Sequence, residues 1–145
     1  KAGVQMLWMS YFRRYDPMES FYCAAQNTGF TPNPERSEGT YTKYASLDDK
    51  TDGFHFYLAF IKLGIGRCTS DAAHELRDGQ LTRNEAVALV RRYDGEFPKR
   101  YFSEFLEYLD ITEERFWQVV DIWRAPHLWT VGTNGEWDLK YRVSN

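Results

Sequence analysis

The sequence predicts a mainly α-helical fold: one strand-turn-helix remnant of an α/β nucleotide-binding sheet, then a helical cluster, then a C-terminal β-hairpin. Three observations predict it. The run Val4–Phe12 is apolar on both alternating faces, as expected of a strand covered on two sides. From residue 47 to residue 126, apolar side chains recur at helical spacing behind repeated capping signals. Asn134-Gly135 then separates two stretches with a two-residue alternation.

Taken in order, Asp16 is the N-cap of a first helix, Pro17 occupies its first position, and Glu19 stands where a capping-box acid reaches back. The helix runs to about Asn27 and Gly29 stops it. In strand-turn-helix units ligands bind beyond the carboxyl end of the strand. That places Ser10, Arg13, Arg14 and Asp16 as candidates on a nucleotide side. The next segment, "TPNPERSEGTYTKYA", has two prolines, a glycine and no helical period. Irregular segments of this length inside compact domains are commonly functional, and its tyrosines set it apart from a flexible linker.

Ser46 with Asp49 three residues on predicts a second helix from Leu47 through Lys62, ended by "GIG". On a wheel of about 100° per residue, Asp48, Asp52, His55, Ala59 and Lys62 form a polar seam roughly 80° wide. That seam is either the solvent edge of a largely buried helix or one wall of a polar cleft. A third helix opens near Thr69 or Ser70 and ends at Gly79, with Arg67 just ahead and Asp71 one turn along. Arg67 is also suited to gripping an anion bidentately. Thr82 and Glu85 box in a fourth helix with Ala86, Val90 and Tyr93 inward. A fifth opens at Pro98, and a sixth, capped by Thr112, turns Phe116, Val120 and Trp123 to the core. The closing hairpin alternates Trp137, Leu139, Tyr141 and Val143 with polar residues.

The 145 residues divide into a sheet remnant (1–30), a ligand loop (31–46), a helical region (47–126) and the hairpin (127–145), expected as one compact unit. A net charge of −3 lacks the basic footprint of nucleic-acid binding. The longest apolar run, "FHFYLAFIKLGIG", is too short to span a bilayer. Cys23 and Cys68 match no zinc spacing, so reduced thiols and a cytoplasmic setting are expected. "DDKTDG" fails as a calcium loop, because Lys50 and Ala59 fall where ligands belong. His55, His74 and His127 share no metal-ligand spacing, and no metal site is expected.

From "EGTYTKYASLDDKTDGFHFYLAFIKLGIGRCTSDAAHELRDGQLTRNEAVALVRRYDGEFPKRYF" through "FLEYLDITEERFW" to "APHLW", the chain resembles the carboxyl-terminal part of the N-acetyl sugar amidotransferases. These are ATP-pyrophosphatase-type enzymes of bacterial surface-polysaccharide biosynthesis, including lipopolysaccharide O-antigen. The opening strand, "SYF" turn and "DP" helix resemble the end of that family's nucleotide-binding sheet. The resemblance implies that ATP, with Mg2+, activates the acetamido oxygen of a nucleotide-linked sugar. Ammonia from a glutaminase partner then leaves an acetamidino group. An amide oxygen leaves poorly until it is adenylylated, and cationic groups must hold the phosphates.

The family's Ser-Gly-Gly-x-Asp-Ser loop does not occur in this sequence. The chain is therefore expected to be part of a longer enzyme, neither binding ATP tightly nor releasing pyrophosphate alone. The resemblance singles out Glu38, Gly39, Thr40, Tyr41, Lys43 and Tyr44 in the loop, Asp48 and Asp49, and Arg67, Thr69 and Asp71 after "GIG". By residue chemistry, Lys43 and Arg67 suit phosphate or a charged sugar, Thr40 and Tyr41 offer hydroxyls, and Asp48 or Asp49 orients a cation or sugar hydroxyl. A non-catalytic helical module that docks a partner subunit is the alternative from another class.

Overall fold

The computed structural model describes residues 2–144. Among them, helices α1 (Pro17–Asn27), α2 (Asp52–Leu63), α3 (Arg67–Arg77), α4 (Arg83–Tyr93), α5 (Phe102–Leu109) and α6 (Glu113–Ile122) precede strands β1 (Trp129–Val131) and β2 (Trp137–Leu139). The fold is mainly helical with a C-terminal antiparallel hairpin. The chain divides into two compact units, Lys1–Thr31 and Pro32–Asn145, rather than one.

In the first unit, α1 forms as its sequence dictates: Asp16 accepts a hydrogen bond from the Glu19 N–H at 3.0 Å, and Pro17 opens the helix. The expected strand Val4–Phe12 does not form. Residues 2–8 are irregular, and a single 3-10 turn spans Met9–Tyr11. A strand exists only where its N–H and C=O groups meet a neighbouring ladder. The sheet present among the described residues is the β1–β2 hairpin. None of the described residues of this unit is buried, and Val4, Met6 and Tyr11 are more than 80% exposed.

The second unit has a proper core. Tyr57 and Ile61 of α2, Phe116 and Val120 of α6, Trp129 of β1 and Leu139 of β2 are buried together. Around Phe54 the rings of Phe97, Phe102 and Phe105 gather, with Phe105 stacked at 4.0 Å between centroids. The Trp129 indole N–H donates to the Ile61 carbonyl at 2.7 Å, which ties the hairpin to the end of α2. Thr82 and Glu85 make the reciprocal capping box of α4, and Thr112 caps α6.

Several boundaries differ from expectation. The second helix begins at Asp52 rather than Leu47, because Ser46 takes a left-handed conformation (φ 54°) that a helix start does not tolerate. The Asp49 carboxylate accepts from the Thr51 N–H and hydroxyl at 2.7 Å, which makes a local turn instead of a capping box. The third helix starts at Arg67, two residues early, because Asp94 satisfies its first turn from outside. The fifth starts at Phe102 rather than Pro98, because the Glu38 carboxylate holds the Lys99 and Arg100 N–H groups in a turn. Trp123 ends α6 at 45% exposure, under the Lys62 ammonium, and is not core. Of the expected hairpin alternation only Leu139 is buried; Trp137, Tyr141 and Val143 are exposed.

Candidate functional site

The loop from residue 36 to residue 50 is held by long-range bonds. Arg36 donates to both Glu96 carboxylate oxygens at 2.6 Å and to the Thr40 carbonyl at 3.1 Å. Glu96 also accepts from the Gly39 N–H at 2.8 Å, and the Gly39 carbonyl accepts from the Cys68 N–H at 3.1 Å. The loop is thereby fastened to the first turn of α3 and to the turn after α4.

A second connection runs through Asp71, which accepts from the Thr40 hydroxyl at 2.6 Å and from Arg67 Nε at 3.1 Å. Arg67 lies flat over Phe56, 4.4 Å from the ring centroid. A third is Asp94. It accepts from the Gly66 and Thr69 N–H groups and from the Thr69 hydroxyl, capping α3. Gly66 is needed there, since a Cβ would lie 2.9 Å from the Asp94 carboxyl carbon.

Charge follows this geometry. The Arg36 guanidinium holds the Glu96 carboxyl below its usual range, and Glu96 raises Arg36 in return. A carboxyl lowered on folding stabilises the fold fully above its unfolded pKa of about 4.3, and that contribution is lost as pH falls through the folded value. The melting-temperature gap between wild type and Glu96→Gln is therefore expected to narrow between pH 6 and about pH 3. A gap constant over that range would contradict the pairing. Burial raises the Tyr41 phenol, with a hydrogen bond to the Glu75 carboxylate and the charge of Asp71 adding to the effect. Burial likewise pushes the Cys68 thiol up to about 12, so it stays a protonated core group.

Between loop and helices lies a cleft of about 270 Å³. Thr40, Asp48, Asp49 and Arg67 line it, with Glu38, Ser37 and Ser46 from the same loop and Lys50, Arg100 and Tyr101 at its edges. Gly53, Phe54 and Phe56 of α2 supply an apolar wall. Of the expected seam, Asp48 alone is among the lining residues, beside Asp49, and both stand ahead of the helix. His55 and Lys62 are exposed and are not among the lining residues. Asp71 stands behind the cleft as the partner of Thr40 and Arg67. Tyr41 and Tyr44 are half-buried beside it. Lys43 points away, its ammonium donating to the Pro34 carbonyl at 2.9 Å. The residues that sequence reasoning missed are Arg36, Asp94 and Glu96. The one signal was "YDGE" at the end of α4, where a glycine between two acids marks a special turn.

Each cation of the cleft already has a partner: Arg67 with Asp71, Arg100 with Glu35 at 2.7 Å, Lys50 with Glu104 at 2.5 Å. Glu38, Asp48 and Asp49 add negative charge. This set does not fit a nucleoside triphosphate, which needs unpaired donors. In the first unit, Ser10, Arg13 and Arg14 line a separate cleft with Asp16 and Glu19, and Arg13 pairs with Glu19 at 3.2 Å. Among the described residues no group of three His, Cys, Asp or Glu side chains is arranged to hold a metal ion.

A protein-family model described as "LPS biosynthesis protein WbpG-like, C-terminal domain" matches residues 38–143, nearly all of the second unit. The chain belongs to the WbpG-like family. The match opens at Glu38, the first residue of the "EGTY" segment fastened to α3 and α4. It contains every lining residue of the cleft except Asn33 and Ser37. A WbpG-like C-terminal domain thus comprises α2 to α6, the hairpin and most of the fastened loop. No curated protein matches the chain significantly. Among the described residues, no helix is long and apolar enough to cross a membrane.

Proposed function

We propose that this chain is the sugar-binding part of an ATP-dependent N-acetyl sugar amidotransferase, and that the cleft lined by Thr40, Asp48, Asp49 and Arg67 holds the acetamido sugar of a nucleotide-linked substrate. The observation that carries the reading is the cleft's chemistry. It joins hydroxyls and an aromatic wall to cations already paired with Asp71, Glu35 and Glu104, so that with Glu38, Asp48 and Asp49 the site has no surplus of positive charge. Such a surface suits a neutral ring rich in hydroxyls, with a few placed polar groups fixing orientation against apolar walls. Membership of a lipopolysaccharide-biosynthesis family agrees with that substrate class. In this reading the chain binds and orients the sugar, while the ATP chemistry belongs to a nucleotide-binding part.

The first unit supports the second half of the reading. Val4, Met6, Leu7, Trp8, Met9, Tyr11 and Phe12 are 66–87% exposed. A strand apolar on both faces shows this when it lacks its sheet. Residues 1–30 then complete a nucleotide-binding sheet, with Ser10, Arg13 and Arg14 at the end of its last strand. The docking alternative, with the glutaminase as partner, draws on Ile122 and Trp123, 74% and 45% exposed at the end of α6. It concerns another face, and the two roles are compatible.

Asp48 gives the cleaner test, since it is exposed and no hydrogen-bond or ion-pair partner among the described residues constrains it. Asp48→Asn is expected to weaken binding of a uridine-diphosphate-linked acetamido sugar about tenfold, or about 1.4 kcal/mol, with an unchanged melting temperature. Arg67→Ala is expected to weaken it further while costing some stability. Unchanged affinity in both variants, with stability alone lost in Arg67→Ala, would refute the assignment.

A further inference from the structure

A second cleft, of about 450 Å³, opens on another part of the same unit, between the end of α2, the turn after α4 and the hairpin. Its centre is Arg124, whose side chain is only 9% exposed. The guanidinium carbon sits 4.5 Å from the Trp129 ring centroid and 5.5 Å from that of Trp137. Arg142, half-exposed, stands at the rim.

The hydrogen-bonding inventory of this cleft is unbalanced. Arginine has five N–H donors. Among the described residues, the one carboxylate paired with Arg124 is Asp121, reached from Nε at 3.3 Å. The Tyr57 phenol also accepts from Arg124, and the other terminal N–H groups are left without an acid. Arg142 gives one terminal nitrogen to Asp138. The Trp137 indole N–H pairs with no acceptor among the described residues. Acceptors are fewer, and both carboxylates of the lining are in use: Asp94 accepts three bonds from Gly66 and Thr69, and Glu136 accepts one from the Asn134 amide at 2.8 Å. A nearly buried guanidinium with unused donors is costly unless an acceptor meets it. Trp129 and Trp137 hold the guanidinium in place through cation–π contacts, so its position is set before any ligand arrives.

The geometry points to an anion subsite. Arg124 takes a carboxylate or phosphate group of a small organic ligand, Arg142 closes over it, and the ligand's body rests on Trp137. The cleft is larger than a bare oxyanion requires, and Trp137 is 40% exposed, leaving room for that body. This inference does not depend on the sugar reading of the first cleft, since it uses none of the same residues.

The test is titration of the isotopically labelled chain with inorganic phosphate and, separately, with acetate, at constant ionic strength. Saturable shifts of the Trp129 and Trp137 indole and Arg124 Nε resonances are expected with at least one anion. Phosphate alone identifies a phosphate ester as the ligand class, and acetate alone a carboxylate. Arg142→Gln, an exposed change, is expected to weaken binding about fivefold, and Arg124→Lys to abolish it by removing the fork. If Arg124→Lys does not fold, Arg142→Gln decides. No saturable shift with either anion would overturn the proposal, as would equal affinity in Arg142→Gln.

Discussion

Gly95→Ala is expected to destabilise the second unit by about 2–4 kcal/mol, by adding overpacking to left-handed strain. Gly95 has φ 78°, and a Cβ there would lie 2.5 Å from Phe60 Cζ and 2.8 Å from Cδ1, nearer still to Cε1. The ring cannot retreat easily, since its other side meets Trp129 at 5.6 Å between centroids. Strain at this position also moves its neighbours. Asp94 caps α3 and Glu96 fastens the cleft loop, so the variant is expected to lose sugar binding beyond what its lower stability explains. Chemical denaturation gives the first quantity, and titration well below the melting temperature gives the second. A loss under about 1 kcal/mol would mean that the turn is looser than described.

Phe54→Ala is expected to cost about 3–5 kcal/mol, the range for a buried phenylalanine. Phe54 is 1% exposed, stacks on Phe105, and meets Phe97 and Phe102. It lies at the back of the cleft as well as in the core. Truncation therefore removes ring contacts and opens the cleft floor into the cavity. Against a typical domain stability of about 5–15 kcal/mol, the variant is expected to be partly unfolded near body temperature. Phe54→Leu is expected to recover most of the stability and little of the cleft shape. Equal sugar affinity in Phe54→Leu and wild type would separate the core role from the site role.

These effects show which parts of the molecule its sequence made legible. Local signals held where no distant contact competed with them. Asp16 with Glu19, Thr82 with Glu85, and Thr112 with Arg115 all cap as read. Ser46 with Asp49 carried the same signal, yet Ser46 is left-handed and the helix starts at Asp52. The difference comes from distant contacts. The Ser46 turn belongs to a loop fastened by residues 68, 71 and 96, which no local pattern announces. The same holds for Pro98, whose turn is fixed by Glu38 sixty residues before it.

The cleft was half legible. Thr40, Asp48, Asp49 and Arg67 were identified by residue type and by resemblance, and they line one space. Lys43 was chosen for its charge, but its ammonium is spent on the Pro34 carbonyl. The pairing state of a cation cannot be read from its identity alone. Arg67 illustrates the same point, since Asp71 and Phe56 define what it can hold. The pairing of the cleft's cations, which favours a neutral sugar over phosphate, emerges only in three dimensions.

In the proposed function, the Thr40–Asp48–Arg67 cleft binds the acetamido sugar of a nucleotide-linked substrate. Because the cleft lies wholly within the second unit, the chain itself suffices for the measurement. A heteronuclear NMR titration with a uridine-diphosphate-linked acetamido sugar, with uridine diphosphate alone as control, tests it most directly. The account predicts saturable shifts at the Thr40, Ser46, Asp48 and Arg67 amides with the sugar nucleotide, and none there with uridine diphosphate. Equal shifts with the control, or shifts confined to other residues, would contradict it.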